Sequence, residues 1–129
     1  MDLNSRIRQI LSRQGDIRLA ILFGSLAAGD ATPQSDLDLA VLMRIPLSAE
    51  TKMTLIGELS QAIGRPVDLI DLRVAGEPLL GQILKHGVRL FGSDTDYAEL
   101  LKRHLFEEAD FMPYRRRILA ERRRAWIGK

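Results

Sequence analysis

Hydrophobic residues recur along the chain at two different spacings, which predict alternating helices and strands. Apolar positions three and four residues apart indicate amphipathic helices, and short apolar runs bounded by glycine or proline indicate strands. This pattern predicts helices over 3–14, 25–29, 48–63 and 79–86, and strands over 17–23, 36–43, 67–72 and 88–91. From residue 94 onward the pattern is helical, with a break or kink at Pro113.

Polar residues that could bind a ligand or take part in catalysis lie where the first two predicted strands meet their loops. Gly24-Ser25 follows the first strand, and Asp36 and Asp38 begin the second. Side chains alternate along a strand, so the two carboxylates share one face about 7 Å apart. They repel each other unless a cation lies between them, and oxygen ligands suit Mg²⁺, which brings phosphates with it. An isolated Asp-x-Asp is usually a solvated strand edge, but here apolar residues flank the pair and place it at the end of a core strand.

A third carboxylate has two candidates on the next predicted strand, Asp68 and Asp71. They are three residues apart and therefore face opposite sides of a strand. Asp68 can align with Asp36 and Asp38 on a neighbouring strand. Asp71 lies near the strand's exit, where pairing with Arg73 or capping the next helix is the favoured role. Asp68 is the preferred catalytic candidate, and Asp71 stays as the alternative.

The sequence indicates less definite roles for several other residues. Gly29 permits a turn or a close backbone approach, and Ser35 orients the loop before Asp36; ordinary turn chemistry explains both equally well. Four cationic residues could neutralise phosphate charge, and the sequence does not choose among Lys52, Arg65, Arg73 and Lys85. The two histidines, His86 and His104, have no partner at metal-ligand spacing and are expected at the surface or at a helix end.

Composition limits the function classes. The chain has 129 residues and no cysteine, which fits one small domain without disulfides, thiolate metal sites or a cysteine nucleophile. We expect no signal peptide and no membrane segment, and hence a cytoplasmic protein. Residues 113–129 carry a net charge of +6 and the rest of the chain −4. An acidic body with a basic tail argues against a direct nucleic-acid role for the active face.

The spacing of Gly24-Ser25, Asp36-Leu37-Asp38 and Asp68 resembles that of the polymerase-beta-like nucleotidyltransferase superfamily. The segment 67–73, the stretch 81–92 and the tail 110–119 are most similar to minimal nucleotidyltransferases, and among these to the MntA-type antitoxins paired with HEPN ribonuclease toxins. The resemblance implies an α/β (α+β) fold, with a small mixed sheet flanked by helices. It also implies a single domain over 1–129 whose helical extension 94–129 docks the partner.

The same resemblance implies a reaction and its residues. The chain would transfer AMP from ATP to a tyrosine hydroxyl of the HEPN toxin and silence it. Asp36, Asp38 and Asp68 would be catalytic and would bind Mg²⁺, in two ions, while Gly24, Ser25 and Ser35 would bind the nucleotide. Two alternatives stay open: a nucleotidyltransferase acting on an antibiotic or other small molecule, and a non-catalytic antitoxin acting by binding alone. The basic, aromatic segment 113–129 docks the toxin, packs back on the sheet or forms a solvated helix face, and the resemblance favours docking.

Overall fold

A computed structural model describes residues 1–109, in which helices and strands alternate. The predictions of a break at Pro113 and of toxin docking by residues 113–129 lie outside these residues. The elements are α1 (Leu3–Ser12), β1 (Ile17–Phe23), α2 (Gly24–Ala28), β2 (Leu37–Met43), α3 (Ala49–Ile63), β3 (Val67–Asp71), α4 (Leu79–His86) and β4 (Val88–Phe91). Residues 94–109 are also helical, up to the last described residue, and are called α5.

The four strands form one mixed sheet in the order β3-β2-β1-β4. β1 runs antiparallel to both β2 and β4, whereas β2 and β3 are parallel and are joined through α3. The start of β2 and the start of β3 therefore lie at the same edge as the end of β1. The expected fold class, a small mixed sheet flanked by helices, is confirmed.

Each face of the sheet carries its own apolar cluster. α1 and α3 cover one face, where Leu11 and Leu59 pack with Leu22 and Leu39. α4 and α5 cover the other face, and the cluster there contains Leu19, Ile21, Ala40, Leu72, Leu80, Ile83, Leu84 and Leu100. Because side chains alternate along a strand, the even-numbered positions of β2 and β3 point to the α4 and α5 face.

Helix ends follow local capping chemistry. The Asp2 carboxylate accepts the Ser5 N–H at 2.8 Å and begins α1, and the Ser48 hydroxyl accepts the Thr51 N–H at 3.1 Å and begins α3. Gly64 ends α3 with φ of +76°, a conformation that suits glycine. No helix among residues 1–109 has the length and apolar character needed to cross a membrane.

Two predicted strand boundaries were wrong by one residue. β2 begins at Leu37 rather than Asp36, because residues 32–35 form a turn that brings Asp36 to the sheet edge outside the ladder. β3 ends at Asp71 rather than Leu72, because the Asp71 carbonyl already accepts the Val74 and Ala75 N–H groups of the following turn.

Two residues of α5 fasten this helix to the rest of the fold. The Arg103 guanidinium donates to the carbonyl oxygens of Leu72, Arg73 and Ala75, at 2.6 to 3.2 Å. His104 Nδ1 lies 2.6 Å from Glu77 Oε1. The expectation of a surface or helix-end histidine did not include this contact, since Glu77 lies 27 residues away in the sequence, just before α4.

Candidate active site

Gly24 and Asp38 form one packed unit where β1 passes into α2. Phe23 is the register partner of Asp38, so the carboxylate lies beside the next residue of the chain. A Cβ added to Gly24 would stand 2.1 Å from Asp38 Oδ2, and Gly24 has φ of +74°. Only glycine fits both the conformation and the space. The first glycine of the motif therefore makes room for a carboxylate, a role that the sequence alone did not indicate.

Asp68 lies directly beside Asp38. The two are register partners on the parallel strands β2 and β3, which stand about 4.8 Å apart as neighbouring strands do. Both positions are even-numbered and point to the α4 and α5 face. Asp36 stands two residues before Asp38, just outside β2, with an exposed side chain. The fold thus brings all three candidate carboxylates to one edge of the sheet.

The three carboxylates perturb one another electrostatically. Partial burial raises the pKa of Asp38, and the negative charges of Asp68 and Asp36 raise it further. Among the ion pairs of residues 1–109, none involves any of these three carboxylates. Their negative charge is therefore uncompensated by the part of the chain that the structure describes.

This donor set fits a divalent cation that is shared with a ligand. Within residues 1–109 no three His, Cys, Asp or Glu side chains converge closely enough to enclose an ion by themselves. Mg²⁺ is commonly held by one or two carboxylates, with water and substrate phosphates completing its coordination. Asp38 and Asp68, with Asp36 nearby, meet that requirement.

Asp71 is engaged elsewhere. Its Oδ1 accepts the backbone N–H of Arg73 at 3.0 Å, in the turn that follows β3. The Arg73 guanidinium instead donates to the carbonyls of Met43 and Arg44, at the opposite end of the strand from Asp68. The geometry therefore separates Asp71 from the edge where the three other carboxylates meet.

Ser25 and Ser35 lie at the same edge of the sheet. Ser25 is half-buried in α2, and its carbonyl accepts the N–H groups of Gly29 and Asp30. The Ser35 hydroxyl accepts the Thr32 N–H at 2.8 Å, so in this structure it closes the turn before Asp36.

The structure sorts the cationic candidates by what their side chains contact. The guanidinium of Arg65 donates to two loop carbonyls near Asp36, a contact that no local sequence signal reveals because its partners lie 30 and 33 residues away. The guanidinium of Arg73 donates to carbonyls at the far end of β2, as described above. Lys85, near the end of α4, lines a groove of about 930 Å³ between α4 and α5. None of the six candidate site residues lines that groove.

Comparison with known proteins agrees with this geometry. Residues 5–96 match the family described as polymerase beta, nucleotidyltransferase. The chain belongs to this nucleotidyltransferase family. It is 33% identical over 93 residues to the protein adenylyltransferase MntA of Shewanella oneidensis, which covers 72% of this chain and 67% of that protein. The expected enzyme class and the expected relationship to MntA-type proteins are confirmed.

Solved structures resemble this nucleotidyltransferase over nearly its whole length. A crystal structure of a toxin-antitoxin with AMP-PNP has 27% identity and a TM-score of 0.83, over 93% of this chain and 98% of that chain. A structure of tri-AMPylated Shewanella oneidensis HEPN toxin in complex with MNT antitoxin has 26% identity and a TM-score of 0.75, over 92% and 93%. A MntA-HepT toxin-antitoxin structure has 26% identity and a TM-score of 0.74, over 92% and 94%.

Proposed function

We propose that this nucleotidyltransferase is an antitoxin that transfers AMP from ATP to a tyrosine hydroxyl of a HEPN ribonuclease toxin in the cytoplasm and thereby neutralises it. The observation that carries the proposal is the uncompensated Asp38 and Asp68 pair, packed against Gly24, in a chain related to a protein adenylyltransferase. A contact-only antitoxin has no need for clustered like charges, which oppose folding.

Each of the three carboxylates has its own role in the proposed reaction. Asp36 and Asp38 would hold the Mg²⁺ that accompanies the triphosphate, and Asp68 would complete a second metal position. Bound Mg²⁺ supplies charge stabilisation at the phosphoryl oxygens. Gly24 and Ser25, at the same edge, would contact the phosphates, and Ser35 would keep the loop beside them in place.

In the transfer step the tyrosine oxygen forms a bond to the α-phosphorus of ATP. The bond from that phosphorus to the bridging oxygen of the β-phosphate breaks, and pyrophosphate leaves with the electron pair. Asp68 accepts the proton of the tyrosine hydroxyl as general base. Its exposed position suits this role, because an acceptor side chain from another protein must reach it.

Docking of the toxin belongs to the same proposal. α5 leaves Leu105 and Phe106 more than half exposed, and Leu101 lines both this surface and the groove against α4. Exposed apolar side chains grouped on one helix are typical of a protein contact. We assign the toxin as the occupant, because similar chains occur in complexes with HEPN toxins. The extension 94–129 would then position the acceptor tyrosine.

The experiment is AMP transfer to a HEPN toxin that this chain binds. The purified pair is incubated with ATP and Mg²⁺, and intact-mass spectrometry follows the toxin. We expect a mass increase of one or more AMP groups on a tyrosine and loss of ribonuclease activity, and we expect neither with Asp38→Asn. An unmodified toxin at every Mg²⁺ concentration would refute the proposal. Toxin neutralised without modification would identify a contact-only antitoxin, and AMP on an added small molecule alone would identify the other alternative.

A further inference from the structure

The loop before Asp36 is a closed turn. The Thr32 carbonyl accepts the Ser35 N–H at 3.0 Å, and the Ser35 hydroxyl accepts the Thr32 N–H at 2.8 Å. Pro33 occupies the second position of this turn, where its fixed φ is favourable. The turn is therefore ordered within itself, but these bonds do not attach it to the sheet.

Arg65 makes that attachment. One terminal nitrogen of its guanidinium donates to the Thr32 carbonyl and to the Ser35 carbonyl, each at 2.8 Å. The two acceptors are the first and last residues of the turn. Arg65 itself lies between α3 and β3, three residues before Asp68. The arginine thus joins the loop that precedes one carboxylate to the strand that carries another.

Asp36 is fixed on both sides by this arrangement. The peptide group before it contains the Ser35 carbonyl, which accepts from Arg65, and the peptide group after it contains the Leu37 N–H, which donates to the Pro66 carbonyl at 2.8 Å. Consecutive residues, 65 and 66, therefore hold both peptide groups of Asp36. Of these two anchors only the first depends on a side chain.

We propose that Arg65 is a positioning residue that sets the place of the Asp36 carboxylate relative to Asp38 and Asp68. It acts through the backbone, by its hydrogen bonds to the Thr32 and Ser35 carbonyls. The proposal rests on the proposed function for its catalytic consequence. Without the arginine, Asp36 is an exposed residue at the end of a loop, and a displacement of about 1 Å in a catalytic group can lower a rate about 10²-fold.

The chain provides a matched control at the other end of the same strand pair. Arg73 also donates from one terminal nitrogen to two carbonyls, those of Met43 and Arg44, at 2.9 and 3.1 Å. Arg65→Ala and Arg73→Ala each remove a guanidinium and two hydrogen bonds to loop carbonyls. Only Arg65→Ala releases a candidate metal ligand, so any difference between the variants reports positioning rather than stability.

Four measurements compare the variants. Electron paramagnetic resonance follows Mn²⁺ binding in the presence of α,β-methylene-ATP, an ATP analogue whose α–β bridge is not cleaved. Hydrogen exchange by mass spectrometry follows the amides of residues 32–37. AMP transfer to the toxin gives kcat and the half-saturating Mg²⁺ concentration, and thermal unfolding gives the common effect on stability.

For Arg65→Ala we expect faster exchange over 32–37, Mn²⁺ binding weakened about tenfold or more, and transfer slowed about 10²-fold. Arg65→Lys should recover part of each, because one ammonium group reaches a carbonyl but lacks the planar geometry of the guanidinium. If Arg65→Ala fails to fold, Arg65→Lys compared with Arg73→Lys gives the same contrast.

Equal Mn²⁺ binding and equal transfer in the Arg65 and Arg73 variants would overturn the inference. An inactive wild-type chain would refute the proposed function only. Exchange and Mn²⁺ binding would then still decide whether Arg65 positions Asp36.

Discussion

Replacing Gly24 with alanine tests whether the space at this residue serves the chemistry. The added Cβ would stand 2.1 Å from Asp38 Oδ2, more than 1 Å inside an ordinary contact, so the carboxylate has to rotate away. The backbone would also carry a side chain at φ of +74°. Gly29 offers a matched control, since its φ is +80° and a Cβ there meets nothing within 4 Å.

The expected magnitudes follow from these two effects. A left-handed conformation disfavours a non-glycine residue by about 1–2 kcal/mol, and this part is shared by Gly24→Ala and Gly29→Ala. Forcing Asp38 off its rotamer adds about 0.5–1.5 kcal/mol for Gly24→Ala alone. At about 4 °C per kcal/mol for a chain of this size, the Tm of Gly24→Ala should lie a few degrees below that of Gly29→Ala. AMP transfer should differ far more, by about 10²-fold, because the displaced group is one of the carboxylates that we propose to be catalytic.

Circular dichroism melting and the toxin-modification assay measure the two quantities. A double-mutant cycle then identifies the clash. In an Asp38→Ala background the nearest remaining atom to the new methyl group is the residue-38 Cβ, at 3.2 Å, and most of the extra destabilisation should disappear. Persistence of the extra loss in that background would show that another group causes it. Equal transfer by Gly24→Ala and Gly29→Ala would show that the place of the Asp38 carboxylate does not limit the reaction.

Two further predictions concern individual carboxylates. Burial, and then the charges of Asp68 and Asp36, raise the folded-state pKa of Asp38. Between the ordinary and the raised pKa the folded state therefore binds more protons than the unfolded state. As a result, the stability of the fold decreases as the pH rises through that window. Asp38→Asn should abolish transfer in the presence of Mg²⁺. Without divalent metal, the same variant should have a higher Tm near pH 7 and a weaker pH dependence of the Tm; an unchanged or lower Tm would contradict the repulsion. Asp68→Asn should lower the rate of single-turnover transfer by orders of magnitude while nucleotide binding is largely retained. Asp71→Asn removes a hydrogen-bond acceptor of the turn after β3 and should mainly lower the Tm by a few degrees. The reverse ranking of the two variants would assign the general base to Asp71.

Local signals in the sequence were sufficient for most of the fold. The apolar runs of β1 and β2 and the helix-ending Gly64 act over a few residues, so their elements follow from composition and spacing alone. The start of β2 was misplaced by one residue because the turn over 32–35 keeps Asp36 out of the ladder, and that turn is bound by Arg65, about 30 residues away. The pairing of His104 with Glu77 escaped notice for the same reason, as it joins α5 to the residues before α4.

The candidate site was predictable to the level of residue type and strand face. Alternation along β3 separated Asp68 from Asp71, and the register of β2 and β3 agrees with the alignment expected for Asp68. The contact between Gly24 and Asp38 was not predictable in this way. It depends on the antiparallel register that sets Phe23 opposite Asp38, and no periodicity within a single strand contains that register.

Arg65 and Arg73, at opposite ends of the parallel strands β2 and β3, affect which parts of this fold can change without moving the carboxylates. No tight turn joins β2 to β3; the connection runs through α3 on the opposite face from the carboxylates. Short-range bonds from Arg65, Pro66 and Arg73 tie the ends of the two strands together, independently of that connection. Residues 45 and 46, which are exposed and take no part in these bonds, can therefore accept insertions, and so can the outer surface of α3, while the carboxylates keep their spacing. Changes to the crossover at these places would therefore leave the edge that carries the three carboxylates unaltered.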